Sequence, residues 1–249
     1  MELKHIVSGS LAGIGVAILL YGFLNVNTSY INLGIAGIFL SAVILTIKSS
    51  EYIKKDAALR ILIPYMNLFE KFVDNLSLEG NAVYIPPYQN LPEGGVFIPL
   101  KENFEIDVGR LNEKTVFLTD VPKESQMGTL LTPLGVELLK KYEEHLEYSL
   151  SNTSYAEVES VAGAVLRALG LAKSVYIEDQ ENSFRVVIQP EFKCKKVDVC
   201  EKVACPICSS VLLGLAKATN QLIYVESFEK KDYGIEIKAR KLGGIREWM

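Results

Sequence analysis

The residues best suited to chemistry are four cysteines in the segment CKKVDVCEKVACPIC. They are the only cysteines among 249 residues: Cys194, Cys200, Cys205 and Cys208. Four thiolates are the ligand set of tetrahedral zinc and of iron–sulfur clusters. Cys205 and Cys208 stand at the expected start of a helix, where the helix dipole favours the thiolate form that binds metal. The pattern therefore predicts a metal site held by one contiguous loop and the helix that follows it.

Two other interpretations of the cysteines stay open. CPIC at a helix start is also the arrangement of thioredoxin-like dithiol catalysts, with Cys205 as the attacking thiolate and Cys208 as its resolving partner. Against this, that fold places its motif early, whereas little of the chain follows Cys208. The third interpretation makes Cys208 a small apolar residue of a packed helix and the other three incidental loop thiols. The sequence favours this last interpretation narrowly over the metal site.

Other catalytic residue types are sparse. The only histidines are His5, beside an apolar run, and His145, which lies among charges in KYEEHLEY and is expected on a solvated helix face. Phosphate-binding glycine loops and nucleophile elbows are missing from the sequence. Adjacent carboxylates such as Glu143 with Glu144, or Glu178 with Asp179, are typical of solvated surface. We therefore expect a binding, sensing or scaffolding protein and no enzyme, with the metal or thiol redox protein as the alternative.

Two apolar runs near the N-terminus predict a transmembrane helical hairpin. The spans cover about 6–24 and 30–47, are free of charged residues, and are separated only by a short polar loop. Each is just long enough to cross a hydrocarbon core of about 30 Å. A cleaved signal peptide fits less well, because the first run is long and a second follows at once. The predicted organisation is a hairpin over 1–48, a juxtamembrane helix over 49–80 and an α+β domain over 81–249.

The positions of the cations predict the orientation of this hairpin. The loop 25–29 carries none, whereas Lys4 precedes the first span and Lys48, Lys54, Lys55 and Arg60 follow the second. Positive residues favour the cytoplasmic side of a membrane. We therefore expect a multi-pass protein of the cell membrane, with both termini and the large domain in the cytoplasm. Small residues on both spans predict a close backbone approach; these are Gly9, Gly13, Gly34 and Gly37.

The remainder of the chain reads as α+β. A helix from a Ser50 cap to Leu76 is expected to kink or break at Pro64, and prolines around 84–99 predict edge strands or irregular loops. A helix opened by Thr132, a second ending at Gly170 and a third over 206–218 alternate with two hairpins, at 174–189 and 222–240. Helix, helix, hairpin, helix, hairpin is typical of helices packed on one face of an antiparallel sheet.

Charge limits the partners. The net charge is −4, and a basic stripe or RNA-binding aromatic motif is missing, so nucleic acid is not an expected partner. The expected partners are the lipid bilayer and either a small-molecule ligand or another protein.

Several segments together resemble a known family. Two N-terminal spans, FEKFVDNL, VYIPP, VFIPL, LLTPLGVELLKKYE and CPICSSVLLGLAKATNQLIYVES resemble an archaeal family of membrane-anchored proteins with a domain of unknown function. That resemblance implies two transmembrane helices and a cytoplasmic domain, and no activity. More locally, VLLGLAKATNQLIYVESFEKKDYGIEIKAR is similar to the vinyl-reductase type of small-molecule-binding domain, which implies a ligand pocket.

Overall fold

A computed structural model describes residues 2–46, 55–191 and 198–249. The chain divides into two compact units, Met1–Arg60 and Ile61–Met249. Ser50 and Cys194 lie outside the described residues, so the predicted Ser50 cap and the first of the four thiols have no structural description here.

The first unit is an antiparallel helical hairpin of α1 (Glu2–Leu24) and α2 (Thr28–Thr46). The two helices meet along a seam of small residues at seven-residue spacing: Ser8, Gly15 and Gly22 on α1, with Gly34 and Ser41 on α2. A Cβ atom added to Gly34 would lie only 2.6 Å from the backbone nitrogen of Leu19. Glycine at the seam therefore sets how closely the two backbones pack.

Two serines close this seam with hydrogen bonds. The Ser8 hydroxyl donates to the Ser41 carbonyl at 3.1 Å, and the Ser41 hydroxyl donates to the Ser8 carbonyl at 2.9 Å. The prediction that Gly34 and Gly37 allow close approach is confirmed, since a Cβ added to Gly37 would lie 3.2 Å from the Gly15 Cα. The prediction for Gly9 and Gly13 is wrong: a Cβ at either position would meet nothing within 4 Å. The heptad period, and not the GxxxG spacing, identifies the contact face.

Among the described residues, three helical segments are long and apolar enough to cross a membrane. They differ in the share of each segment that is buried within the protein. His5–Leu24 and Thr28–Thr46 have 17% and 11% of their apolar windows buried. The third segment, Val199–Thr219, is 72% buried. It is therefore a core helix of the second unit, while the first two segments leave most of their apolar surface uncovered.

Within the described residues, the second unit contains one antiparallel sheet of eight strands. The strand order is β3-β4-β2-β1-β7-β8-β6-β5. The bounds are β1 Val83–Ile85, β2 Gly95–Pro99, β3 Phe117–Leu118, β4 Gly128–Leu131, β5 Ala172–Gln180, β6 Ser183–Pro190, β7 Gln221–Lys231 and β8 Gly234–Gly244. Both predicted hairpins are confirmed, as β5 pairs with β6 and β7 pairs with β8. The α+β fold class is confirmed as well.

In the part of the chain that the structure describes, the second unit contains α4 (Val136–Leu146), α5 (Tyr155–Ala168) and α6 (Pro206–Thr219), and the division between the units falls within α3 (Lys55–Asn75). Helices α4, α5 and α6 share one core with the inward residues of the sheet. Alternation along β1 assigns Tyr84 to this core and Val83 and Ile85 to a second core on the opposite face. The second core is covered by the 100–126 segment and the C-terminal turn Ile245–Trp248, which explains why β1 and β2 are buried on both sides.

Three expectations need correction. Strands β1 and β2 are interior strands and not edge strands: Pro86 follows the end of β1, and Pro99 is the last residue of β2, so neither ring interrupts the ladder. Helix α4 begins at Val136 after a Gly135 cap, and not at Thr132, because a turn closed from Val136 N–H to the Pro133 carbonyl comes first. Helix α3 continues through Pro64 without a break.

Candidate functional site

The candidate site lies at the N-terminus of α6. Cys205 is the N-cap residue with extended backbone angles, φ −60° and ψ 160°, and its carbonyl accepts from the Ser209 N–H at 2.8 Å. Pro206 occupies the first helical turn, where its missing N–H is not required. The helix is buried nearly all round, so strands and neighbouring helices fix its position from several sides.

Three of the four predicted thiols are described by the structure. Cys200, in a short 3-10 turn at Asp198–Glu201, is 5% exposed, and Cys208 is 4% exposed. Cys205 is half-buried, so it is the most accessible of the three. The structure places Cys205 and Cys208 in the first turn of α6 and Cys200 in the 3-10 turn that precedes it.

The turn that carries Cys200 is tied to the sheet by its neighbours. The Glu201 carbonyl accepts from the Ala82 N–H at 2.9 Å, and the Glu201 carboxylate accepts from the Phe228 N–H at 3.2 Å. The Lys202 ammonium donates to the Leu78 carbonyl. These bonds connect the turn to the start of β1 and to the middle of β7, so the sheet fixes the position of Cys200.

Tyr84, on β1, is a fully buried residue whose phenol bonds to Ser209 in the first turn of α6. Burial raises the pKa of its phenol strongly, a hydrogen bond with Ser209 lowers it, and the charges of Cys208, Cys205 and Cys200 raise it further. The phenol therefore stays protonated and available as a hydrogen-bond donor. Sequence reasoning missed Tyr84, although the alternation of VYI in a strand assigns this side chain to one face.

A second phenol belongs to the same environment. The Tyr142 hydroxyl, on α4, lies 2.7 Å from the Ser210 hydroxyl, which itself donates to the Ile207 carbonyl at 2.7 Å. Burial raises the pKa of Tyr142, the Ser210 bond lowers it, and the charge of Cys208 raises it. Cys208 is thus close to both phenols, and a thiolate there would accept hydrogen bonds in a setting of low polarity.

Helix α4 rests directly on the backbone of α6 at this point. The Gly135 N–H donates to the Ser209 hydroxyl at 3.2 Å. A Cβ added to Gly135 would lie 2.0 Å from the Ser210 nitrogen, closer than any real contact. Only glycine allows this approach, which holds Ser209 and Ser210 between the two phenols.

The chemistry open to this arrangement is that of thiolates at the positive end of a helix. Thiolates there bind soft or borderline metals, exchange with disulfides, or remain inert when packed. Within residues 2–46, 55–191 and 198–249, no three His, Cys, Asp or Glu side chains are arranged to hold a metal ion. The predicted centre requires Cys194, which falls in the gap between those ranges, so the four-thiolate site stays a prediction.

The remaining sequence candidates lie apart from this site. His145 is exposed near the end of α4. Glu143 bonds to Lys217 at 2.6 Å, and Glu178 to Arg185 at 3.4 Å, so each belongs to an ion pair on its own part of the surface. Asp179 pairs with Lys241. Neither adjacent pair of carboxylates converges on a shared proton.

Fold and site together define an α+β protein that joins an apolar helical hairpin to a sheet domain with clustered thiols and buried phenols. The chain belongs to a family defined by a domain of unknown function (DUF7982), whose model matches residues 6–238. The match begins within α1 and reaches β8, so the family unit includes the hairpin, the sheet and the cysteine segment. No curated protein and no solved structure matches the chain.

Proposed function

We propose that the protein is a membrane-anchored binding, sensing or scaffolding module, with the α1–α2 hairpin in the cell membrane. The observation that carries this proposal is the uncovered surface of the hairpin. Phe23 is 72% exposed, Leu24 82% and Phe39 70%, although both helices are apolar all round. Removal of apolar surface from water contributes about 25 cal/mol per Å² of free energy. Exposure of this hairpin surface to water is therefore strongly unfavourable, whereas its exposure to lipid is not.

Other features of the hairpin fit a bilayer. Both segments satisfy their backbone groups within helices, as hydrocarbon requires. The two seam serines satisfy each other, so they present no unpaired hydroxyl to lipid. Tyr21 and Tyr30 make an edge-to-face contact with centroids 5.5 Å apart beside the connecting loop, where aromatic rings are favoured at the membrane surface.

We assign both termini and the domain to the cytoplasm on the distribution of cations. The connecting loop has no Lys or Arg, while Lys4 precedes the apolar span 6–24 and Lys48 follows α2. Loops that cross the membrane easily are those without such residues.

Alkaline extraction and thiol labelling test the anchor and its orientation separately. The full chain should stay in the membrane pellet after a carbonate wash. Recovery of the chain in the soluble fraction without detergent would contradict the proposed membrane anchor. Val26 is 88% exposed in the loop, so Val26→Cys should react with an impermeant maleimide in intact cells. The native chain, whose cysteines are all in the domain, is the matched control and should react only after lysis. The reverse result would invert the orientation.

The partner of the domain is a small-molecule ligand or another protein. The local resemblance of the α6–β7–β8 segment to vinyl-reductase-type domains supports a small molecule. Native mass spectrometry of the full chain, released from detergent micelles, tests this directly. A stoichiometric added mass that disappears on unfolding supports a bound ligand, while the bare chain mass in every preparation contradicts it.

The second candidate is a metal or thiol redox protein that uses Cys194, Cys200, Cys205 and Cys208. The observation that favours it is the position of Cys205 and Cys208 in the first turn of α6, with Cys200 in the short 3-10 turn that precedes this helix. The thiolate donor set fits zinc or an iron–sulfur cluster, and Cys194 would supply the fourth ligand.

Elemental analysis and a visible spectrum of anaerobically purified chain test the metal. Stoichiometric zinc or iron that is lost in both Cys205→Ser and Cys208→Ser, and kept in Tyr84→Phe, supports a thiolate centre. Absence of both zinc and iron from the native protein would contradict the metal-binding proposal. An unchanged rate of thiol–disulfide exchange in Cys205→Ser would contradict the dithiol-catalysis hypothesis, because Cys205 is the most accessible of the three described thiols.

A further inference from the structure

Among the described residues, the sheet ends at β5, which pairs with β6 on one side only. On the other side, the backbone groups of alternate residues point away from the sheet, and this row is here called the β5 edge. The Ile177 N–H belongs to it, because it donates to a side chain outside the sheet. The period of two then assigns Val175 and Asp179 to the same edge. An edge of this kind is a template for pairing with another strand.

Two charged side chains of α5 cover parts of the β5 edge. The Glu159 carboxylate accepts from the Ile177 N–H at 2.7 Å, and the Arg167 guanidinium donates to the Lys173 carbonyl at 3.1 Å. Eight residues of helix rise about 12 Å and four residues of strand about 13 Å, so the two bonds are in step along α5 and β5. Each charged group meets the backbone group that it complements, which strengthens both bonds.

Between these two side chains, α5 leaves the β5 edge open. Gly163 is one turn from Glu159 and one turn from Arg167 on the same side of the helix, and a Cβ added to it would meet nothing within 4 Å. Val175 lies midway between the two covered backbone groups, level with this gap. Pairing at the β5 edge is therefore opposed by two side chains and not by the course of the backbone.

The length of β5 fits pairing with a second copy of the same strand. The strand covers Ala172–Gln180, so Tyr176 is at its centre. Antiparallel pairing about a two-fold axis at Tyr176 overlaps the whole strand. It also places Val175 opposite Ile177 of the second copy, so that outward backbone groups meet outward backbone groups. The two Tyr176 side chains, each 50% exposed in the single chain, would then become direct cross-strand neighbours.

Charges along β5 agree with this register. Ser174 would lie opposite Glu178 of the second copy, and Lys173 beside Asp179, so like charges do not face each other. Glu178 and Asp179 also keep the ion pairs that they make within their own sheet. An axis shifted to Glu178 would instead bring that carboxylate against its own copy, which is unfavourable.

We propose that Glu159 and Arg167 keep the β5 edge closed to a second copy of the chain, and that their removal from the edge allows two β5 strands to pair about Tyr176. In that dimer, the Ile177 N–H exchanges the Glu159 carboxylate for the Val175 carbonyl of the second copy, and the two sheets become continuous. The proposal is independent of the membrane anchor, because every residue that it uses belongs to the second unit.

Disulfide cross-linking of Tyr176→Cys in the full chain, in detergent micelles, tests this register. The central residues of such a pair have Cα atoms about 4.5 Å apart, within the range that a disulfide spans. The chain with native Glu159 and Arg167 is compared with the double variant Glu159→Ala, Arg167→Ala. Mass spectrometry identifies the peptide linked through position 176, and the chain without the added cysteine gives the background from native thiols.

Three variants serve as matched controls. Glu159→Gln keeps an acceptor oxygen for the Ile177 N–H, so the edge should stay closed. Glu157→Ala removes the same charge from the same helix, about 200° around the axis from Glu159, and should also leave the edge closed. Tyr233→Cys, tested in the double variant, is 49% exposed between β7 and β8, two strands in from the β5 edge, and should not cross-link.

The expected result is at least about tenfold more cross-link between positions 176 in the double variant than with both side chains present. Equal cross-linking in these two chains overturns the proposal: at a low level the edge does not pair, and at a high level it is already open. An equal increase in Glu157→Ala, or equal cross-linking of Tyr233→Cys, shows unspecific association and overturns it too. Loss of the urea transition of Trp248 in the double variant also contradicts it, because the two side chains would then support the fold.

Discussion

Substitution of Gly135 by alanine tests whether the close approach of α4 to α6 holds the candidate site together. The backbone of Gly135 has φ −93°, which alanine adopts without strain. The added methyl would lie 2.0 Å from the Ser210 nitrogen and 2.4 Å from its Cα, whereas ordinary contact begins at 3.4 Å. Both atoms are backbone, so rotation of a side chain cannot relieve the clash. The only response is a movement of α4 away from α6.

The cost follows from that movement. Overpacking of a dense core typically destabilises by 1–3 kcal/mol, and a clash with backbone belongs near the upper end of about 3 kcal/mol. Separation also breaks the bond from Gly135 N–H to the Ser209 hydroxyl, a loss of about 1 kcal/mol. We therefore expect a decrease of about 3–4 kcal/mol in the free energy of unfolding, a large share of the 5–15 kcal/mol typical of a domain.

Urea unfolding of the full chain in detergent micelles measures this difference. The single native tryptophan, Trp248, packs against the second core and donates to the Leu242 carbonyl at 2.8 Å, so its fluorescence reports unfolding of the domain. With a denaturant slope of about 2 kcal/mol/M, the midpoint should fall by about 1.5–2 M.

Gly163→Ala is the matched control. Gly163 lies inside α5, and a Cβ there would meet nothing within 4 Å. Alanine in a helix interior is favoured over glycine by about 0.5–1 kcal/mol, so this variant should raise the midpoint slightly. A Gly135→Ala variant that unfolds at the native midpoint, or alongside Gly163→Ala, would refute the close contact between the two helices and the position of Ser209 and Ser210 that depends on it.

Three further predictions follow from other parts of the chain. Gly34→Val should lower the melting temperature of the detergent-solubilised helices by circular dichroism, because its side chain collides with Leu19, while Gly9→Val should not; equal effects would contradict the assigned seam. Burial favours neutral Glu143, but bonds from Lys217, Leu150 and Ser149 outweigh it and lower the pKa of this carboxyl. Its stabilisation should therefore be present above the ordinary carboxyl pKa and be lost as pH falls through the lowered value; a Glu143→Gln chain with the same acid dependence of its urea midpoint as the native chain would contradict this. Tyr142→Phe should lower the free energy of unfolding by about 1 kcal/mol, and a double-mutant cycle with Ser210→Ala should show coupling, since the hydroxyls bond at 2.7 Å; additive losses would contradict that bond.

Sequence reasoning succeeded where one local signal determined an element. Turn residues between two β-rich runs were enough for both hairpins, and Gly170, with φ +66°, ends the α5 region as expected. It failed where tertiary contacts decide. Prolines near β1 and β2 suggested edges, because nothing local shows that a third strand, β7, follows far along the chain and pairs with β1. Tyr84 reaches the start of α6 only through such strand pairing, and Tyr142 only through the packing of α4 on α6.

The three interpretations of the cysteines become less exclusive once α6 is seen as a core helix. Cys208 is packed among buried apolar residues, as the structural interpretation requires, yet a thiolate at this position would raise the pKa of both buried phenols. Cys205 differs, because it caps the helix and is half-buried. If both thiols served packing alone, alanine should destabilise the chain more at the buried Cys208 than at the half-buried Cys205. Two ligands of one metal would make Cys205 and Cys208 similarly sensitive despite their unequal burial, so the ratio of the two effects on stability separates packing from metal binding.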